Sequence, residues 1–366
     1  MGRIGGKGAK LSDVAERAGV SKATASNVFN RPELVRAEVR ERVLKEAEAI
    51  GYSGPDPLGR LLSAGKVNAI GVATVEPLGY FFEDPFARSV MAGVTEACDA
   101  NGIGISLISA GSERALAWSI RSAVVDGLIL LCIEDADQLV AAARERRLPF
   151  VTMSFGDTDE AVSVVGVDDL AGARLAAEHL TGLGHRRFAV LTMELDGSGN
   201  AGPVTFARVR AADYATSRIR VEGYFQALDA AGIETGRVPI FETTGDPGTV
   251  DAALAALFDG DAPPTALLAE SDNIAMRALA WLKARGIAVP GRVSVMGFDG
   301  VPEGAATEPP LTTVRQPAAA MGRRAVELII ERGERVSREV MGVDLLVRGS
   351  TAPPGADQAR VGDREP

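Results

Sequence analysis

From Val67 onward the chain alternates apolar runs of four to seven residues with amphipathic stretches of helical period. That alternation is the signature of a parallel sheet covered by helices on both faces. Candidate strands fall at 69–75, 104–108, 127–133, 150–154, 162–167, 188–193, 238–241, 266–269 and 294–298, with helices between them, for example at 85–101, 168–183, 217–231, 250–258 and 272–285. So many strand–helix units exceed one compact sheet, and the pattern predicts two similar lobes with a cleft between them. The polar stretch 197–215 is expected to form a loop on the second lobe, and 352–366 has the composition of a disordered tail.

The first fifty residues obey a different period. Leu11, Val14, Ala15 and Ala18 recur at helical spacing, Gly19 supplies a turn that needs positive φ, and Val20 plugs that turn. Ser21 can then cap a second helix whose inward face is Ala25, Val28 and Phe29, while Val39, Val43, Ala47 and Ile50 mark a third helix ended by Gly51. The first two helices make a helix-turn-helix, with small residues where they must approach closely. Its outward face carries Lys22, Ala23, Ser26 and Asn27, with Thr24 at the edge. Asn can make paired hydrogen bonds to adenine, Lys reaches guanine or phosphate, and Ala can touch a thymine methyl. The alternative is a small helical packing unit with a solvated polar face.

Charge and linker bear on that choice. The net charge is −10, but residues 1–66 hold 12 Lys/Arg against 8 Asp/Glu while 67–366 hold 27 against 41. A cationic end on an acidic body is suited to phosphate contact through that end alone. In the linker 53–66, Asp56 and Pro57 can start a short helix on which Leu58, Leu61 and Leu62 form an apolar stripe too small to be stable alone. Pairing with a two-fold mate, one leucine wedged into a minor-groove step, would satisfy the stripe; docking it on the α/β body is the other solution.

Several classes are excluded or disfavoured. No apolar run approaches the roughly 18 to 20 residues of a membrane span, and the first ten residues have no apolar signal region, so a cytoplasmic location is expected. Cys98 and Cys132 sit in apolar runs, and His179 and His185 lack zinc-ligand spacing, so neither metal nor cofactor is expected. No nucleophile elbow, phosphate-binding loop or dinucleotide turn points to catalysis, and Asp168 and Asp169 read as a helix cap. A secreted solute-binding receptor remains as the competing reading, though it would need a signal peptide and no headpiece.

The stretch LSDVAERAGVSKATASNVFN, then ERVLKEAEAIGY and a leucine-bearing linker, resembles the headpiece and hinge of the LacI/GalR family of bacterial repressors. The likeness extends from Lys10 to about Thr351. It implies an all-α helix-turn-helix headpiece at 10–52, preceded by a basic arm at 1–9, a hinge at 53–66, and at 67–351 an α/β two-lobed, periplasmic-binding-protein-like sensor domain that dimerises. It also implies that Lys22, Ala23 and Asn27 read bases in the major groove, that Ser21, Thr24 and Asn30 hold phosphates, and that Leu62 is the hinge wedge. Departures are Lys10 and Arg36 where helix-capping Thr and Ser are usual, an extra Gly54, and Gly59 in the hinge helix.

In the body the resemblance runs through EDPFARSVMAGV, VDGLIL, HLTGLGHRRFAVL, SRIRVEGYFQAL, LLAESDNIAMRALAWLKARGIAVP, VSVMGFD and PPLTTVRQP. It implies an effector site containing Arg220, Asp299, Ser271, Asp272 and Gln316; Phe81, Phe82 or Phe86, in the loop and helix start after the first strand, is a candidate ring to stack on the ligand. Ser154 stands where some members have a carboxylate, and Leu131 and Pro247 also depart from common members. An Arg and an Asp facing one cleft suit vicinal hydroxyls, which points to a sugar or nucleoside-like ligand; a structural ion pair or helix cap is the other reading of these two residues. The function implied is a homodimeric repressor of a pseudo-palindromic operator on double-stranded DNA, under allosteric control by that ligand.

Overall fold

A computed structural model describes residues 9–54, 66–110, 112–131, 133, 137–154, 162–331 and 336–355. The chain divides into two compact units, 1–67 and 68–366.

In the first unit α1 (Leu11–Arg17) and α2 (Lys22–Asn30) are joined through Gly19 at φ 62°, and α3 (Ala37–Ala49) follows a 3-10 turn. Val14, Ala15, Ala18, Ala25, Val28, Val43 and Ala47 form the core, and Phe29 meets Tyr52 edge-on at 5.5 Å. Lys10 brings no capping side chain to α1, but its main-chain N–H donates to the Asp13 carboxylate at 3.0 Å and closes the helix start from within. Arg36 likewise gives α3 no side-chain cap. Arg17 pairs with Glu46 at 3.0 Å, tying α1 to α3.

The second unit has two lobes. The first runs through β1 (Ala69–Thr74), α4 (Tyr80–Glu83), α5 (Pro85–Asn101), β2 (Gly104–Ser109), α6 (Glu113–Ser122), β3 (Gly127–Leu130), α7 (Asp137–Glu145), β4 (Phe150–Thr152) and β5 (Ser163–Val167). The chain then crosses into the second lobe: α8 (Asp169–Gly182), β6 (Phe188–Thr192), β7 (Gly202–Val204), α9 (Phe206–Arg210), α10 (Ala215–Ala230), β8 (Ile240–Glu242), α11 (Pro247–Phe258), β9 (Ala266–Ala269), α12 (Asp272–Ala284), β10 (Ser294–Asp299), α13 (Pro302–Ala305) and β11 (Thr312–Arg315). It returns for α14 (Ala318–Glu331) and β12 (Arg338–Met341), then crosses a third time to β13 (Asp344–Leu346).

Strand order is β12-β5-β4-β3-β1-β2 in the first lobe and β13-β11-β10-β9-β6-β8-β7 in the second. Pairing is parallel except where β13 and β7 add antiparallel edges. Each sheet carries an apolar core on both faces, which is why β3 (GLIL) and β9 (ALLA) are buried at every position and show no alternation. The helix pairs α5/α14 and α8/α10 cross nearly backbone to backbone. A Cβ at Gly93 would overlap the Ala319 carbonyl, one at Gly322 the Val90 carbonyl, and one at Gly223 would lie 2.7 Å from the Leu170 carbonyl.

The stretch 197–215 is more ordered than its sequence suggests. Three residues of β7 pair with β8, and α9 seats Phe206 on Phe225 with centroids 4.7 Å apart. These elements are too short to show a period, and they exist because the sheet edge and α10 offer them a surface. Strands β12 and β13 and helices α6, α7 and α14 also lie outside the set of elements named from sequence. The expected hinge helix, with Leu58, Leu61 and Leu62, lies outside the described residues. At the expected start of the tail, Ala352 is still held: its N–H donates to Ser294 at 3.1 Å and its carbonyl accepts from His185 at 2.9 Å.

Gly93→Ala is expected to lower the stability of the body by about 1–3 kcal/mol, because backbone cannot yield as a side chain can. Denaturant unfolding checks this; an unchanged midpoint would show that α5 and α14 do not touch through their backbones.

Candidate functional site

Two polar surfaces concern function, one in each unit. On α2 the Ser21 hydroxyl caps the helix by accepting from the Thr24 N–H at 3.0 Å, and the two side-chain hydroxyls bond each other at 2.8 Å. Ala25 and Val28 point into the core, leaving Lys22 and Ala23 exposed and Ser26 and Asn27 half-buried on the other side. The helix therefore offers one short polar face on a rigid support. The Asn30 side chain and all of Leu62 lie outside the described residues.

In the body all three crossings leave the C-terminal ends of strands: β5 and β12 in the first lobe, β11 in the second. The C-terminal edges of both sheets must then face each other across the cleft, the usual ligand position in such sheets. Among the described residues, polar contacts reach across it. Ser154, after β4, bonds Thr216 on α10 at 3.3 Å, and Arg88 on α5 pairs with Glu303 on α13.

The second lobe's side of the cleft centres on Arg220. Burial pulls its pKa down, but the charges of Asp169 and Asp299 outweigh this and hold the guanidinium charged well above its ordinary range. Its Nε donates to Asp169 Oδ1 at 2.8 Å, one terminal nitrogen donates to the Glu270 carbonyl at 2.6 Å, and Asp299 lies 3.8 Å away. The guanidinium carbon stands 3.8 Å over the Phe298 ring. Asp299 ends β10 at φ 126°, a conformation rare outside glycine, and its carboxylate accepts from Gln316 at 2.8 Å and from the Asp272 N–H at 3.3 Å. Burial raises its pKa against the pull of Arg220.

Arg220, Asp272, Asp299 and Gln316 thus converge, but not as equals. Asp272 is fully buried and its carboxylate is consumed by the Thr313 hydroxyl at 2.6 Å and the Val301 N–H at 2.8 Å, which makes it a strut joining β11 to the ends of β9 and β10. Burial pushes it up to about 6. Ser271 caps α12 by accepting from Ile274 at 3.2 Å. Phe86 packs against the first-lobe core, Phe81 is buried within it, and Phe82 is exposed. The cap expected of the Asp168–Asp169 pair belongs to Asp168 alone, which accepts from Ala171 at 2.9 Å, whereas Asp169 turns to Arg220. Glu270 lies outside the residues that the sequence motifs point to; its signal is an acid placed directly after the apolar run of β9. His185 bonds Thr265 and Ser294, and His179 bonds Thr351, so both imidazoles brace the C-terminal segment.

A helix-turn-helix unit followed by a two-lobed α/β body with a polar cleft defines the class of DNA-binding regulators built on a periplasmic-binding-protein-like domain. Residues 10–54 match the family described as bacterial regulatory proteins, lacI family, and residues 177–351 match the periplasmic binding protein-like domain. The chain is 39% identical over 354 residues to the HTH-type transcriptional regulator Rv3575c of Mycobacterium tuberculosis, covering 95% of this chain and 98% of that one. It is 34% identical to the HTH-type transcriptional regulator IpsA of Corynebacterium glutamicum, covering 94% and 97%. Among solved structures, a transcriptional regulator CelR–cellobiose complex is similar with a TM-score of 0.67 at 29% identity, covering 93% of this chain and 99% of that one. The chain belongs to the LacI family of bacterial transcriptional regulators, and it is a DNA-binding regulator rather than an enzyme.

Glu270 gives the site a pH signature. Burial raises its carboxyl from 4.5 to about 8, with the Met193 N–H bonded to one oxygen at 2.8 Å. Between those pH values the folded chain keeps a proton that the unfolded chain releases, so this contribution is full below about 4.5 and is lost as pH rises through about 8. Glu270→Gln stays neutral and is expected to flatten the stability profile by roughly 1 kcal/mol per pH unit in that window. Urea midpoints of both proteins from pH 5 to 9 test it; parallel profiles would mean that Glu270 is ionised in the fold.

Proposed function

We propose that this chain is a cytoplasmic repressor that binds a near-palindromic operator as a homodimer and answers to a small hydroxylated ligand, a sugar or nucleoside-like metabolite, held in the cleft. In this reading residues 10–52 bind DNA, 53–66 form the hinge and 67–351 sense the ligand and dimerise. Lys22, Ala23 and Asn27 read bases, Ser21, Thr24 and Asn30 contact phosphates, and Leu62 wedges the central step. Arg220, Asp299 and Gln316 hold the ligand, with Ser154, Ser271, Asp272 and Phe86 completing its surroundings.

The observation that carries the reading is the buried Arg220 at the cleft-facing edge of the second sheet, flanked by Asp169 and Asp299 and backed by an aromatic ring. Hydroxyl groups entering there could exchange hydrogen bonds with both signs of charge at once. The similarity to a regulator solved with cellobiose supports a sugar-class ligand. Ligand that favours one lobe arrangement over the other shifts the population competent for the operator.

On this reading Asn27→Ala relaxes preference at one base position of each half-site, at a cost of about 1–3 kcal/mol. A binding selection over randomised duplexes measures it, and unchanged preference would remove Asn27 from the base-reading face. Arg220→Lys keeps the buried charge but loses the planar fork. It is expected to bind operator like the parent while losing its ligand response, and a normal response would take Arg220 out of the site.

A further inference from the structure

Because the strand C-termini of both lobes face one cleft, the residues at those ends set its charge. Acidic side chains stand at most of them: Glu76 after β1, Asp169 after β5, Glu194 after β6, Glu242 at the end of β8 and Asp299 at the end of β10, with the buried Glu270 after β9 as a neutral member and Arg315 at the end of β11 paired with Asp344 at 2.5 Å. The described connections 75–79, 193–201, 243–246, 270–271, 300–301 and 316–317 contain no Lys or Arg. Among the described residues, arginines that reach this region from helices are already engaged, as Arg315 on β11 is with Asp344. Arg220 serves Asp169, Asp299 and the Glu270 carbonyl; Arg208 serves Asp196 at 2.8 Å and Glu242 at 3.4 Å. Arg88 donates to the carbonyls of Phe82 and Glu83 and pairs with Glu303.

The acids of the two lobes sense one another. Burial raises the pKa of Glu194, and Glu76 from the opposite lobe and Glu242 raise it further; Glu76 is itself raised by burial and by Asp84. Independently of charge, Glu270 is fully buried and its Oε1 has no hydrogen-bond partner in the structure, which leaves a polar atom unanswered beneath this surface.

We propose that the cleft selects an uncharged or amine-bearing polyhydroxylated ligand and excludes its phosphorylated and carboxylated counterparts. The inference rests on the reading of the cleft as the effector site and deepens it by fixing the ligand's charge. Hydroxyl and ammonium groups donate to carboxylates, whereas an anion would enter a partly desolvated space among like charges, where the charge of Arg220 is already balanced by Asp169 and Asp299.

The test uses the full chain and matched probes: glucose, glucosamine, glucose 6-phosphate and gluconate; ribose and ribose 5-phosphate; cellobiose and cellobionate; adenosine and AMP. Thermal shift finds binders and calorimetry ranks them. A neutral or amino member is expected to bind at least about a hundredfold more tightly than its anionic counterpart, since like charges brought together in a partly desolvated space repel. In Glu194→Gln that gap is expected to shrink, and an undiminished gap would assign the exclusion to shape and overturn the charge argument. An anionic member that binds as well as its neutral parent overturns the inference while leaving the effector reading intact. If no member binds, the polyol effector reading itself falls and takes the inference with it.

Discussion

A guanidinium withdrawn almost wholly from water costs several kcal/mol unless charge and hydrogen bonds replace what water supplied, and the second lobe is arranged around meeting that cost at Arg220. The groups that do so come from separate elements: Asp169 from the first turn of α8, the Glu270 carbonyl from the end of β9, Phe298 and Asp299 from the end of β10. They can converge because Gly223 lets α10 lie against the backbone of α8, and because Asp299 accepts a left-handed backbone to turn its carboxylate back toward the sheet. Asp169 also stands just past the first crossing between lobes. Whatever competes for Arg220 in the cleft therefore pulls on a connection that sets how the lobes stand to each other.

The headpiece is built on the opposite economy. Its core uses alanines and valines, so α1 and α2 pack closely on few atoms, and hydroxyls of Ser21 and Thr24 complete the start of α2 without bulk. The outward positions Lys22 and Ala23 are exposed, and the core lies on the other side of the helix. Lys22 and Ala23 can therefore be chosen for a partner rather than for packing.

How much of this is readable from sequence follows from the range of each interaction. The period of Leu11, Val14, Ala15 and Ala18, the Gly19 turn and the Ser21 cap are local, and the structure contains them as read. Buried strands such as β3 and β9 announce themselves as unbroken apolar runs. Edge strands do not: β12 (REVM) and β13 (DLL) carry charge on their open sides and become strands only because β5 and β11 are there to pair with. Site residues divide the same way. Arg220 and Asp299 are visible through motif resemblance, but that Asp169 is Arg220's closest acid while Asp168 makes the cap is decided by tertiary placement. Glu270 hides for the same reason, since an acid after a strand reads as solvent-facing until the lobe closes over it.

The threefold crossing has a consequence for how the molecule is made. Helix α14, which seals one face of the first lobe's sheet, and β12, which completes its edge, are synthesised after nearly all of the second lobe. The amino-terminal lobe thus leaves the ribosome with an open apolar face and an unpaired strand, and it can finish only when its neighbour is already in place. Neither lobe is a transplantable module, since a premature stop before residue 338 would leave the first lobe without β12 and the second without β13.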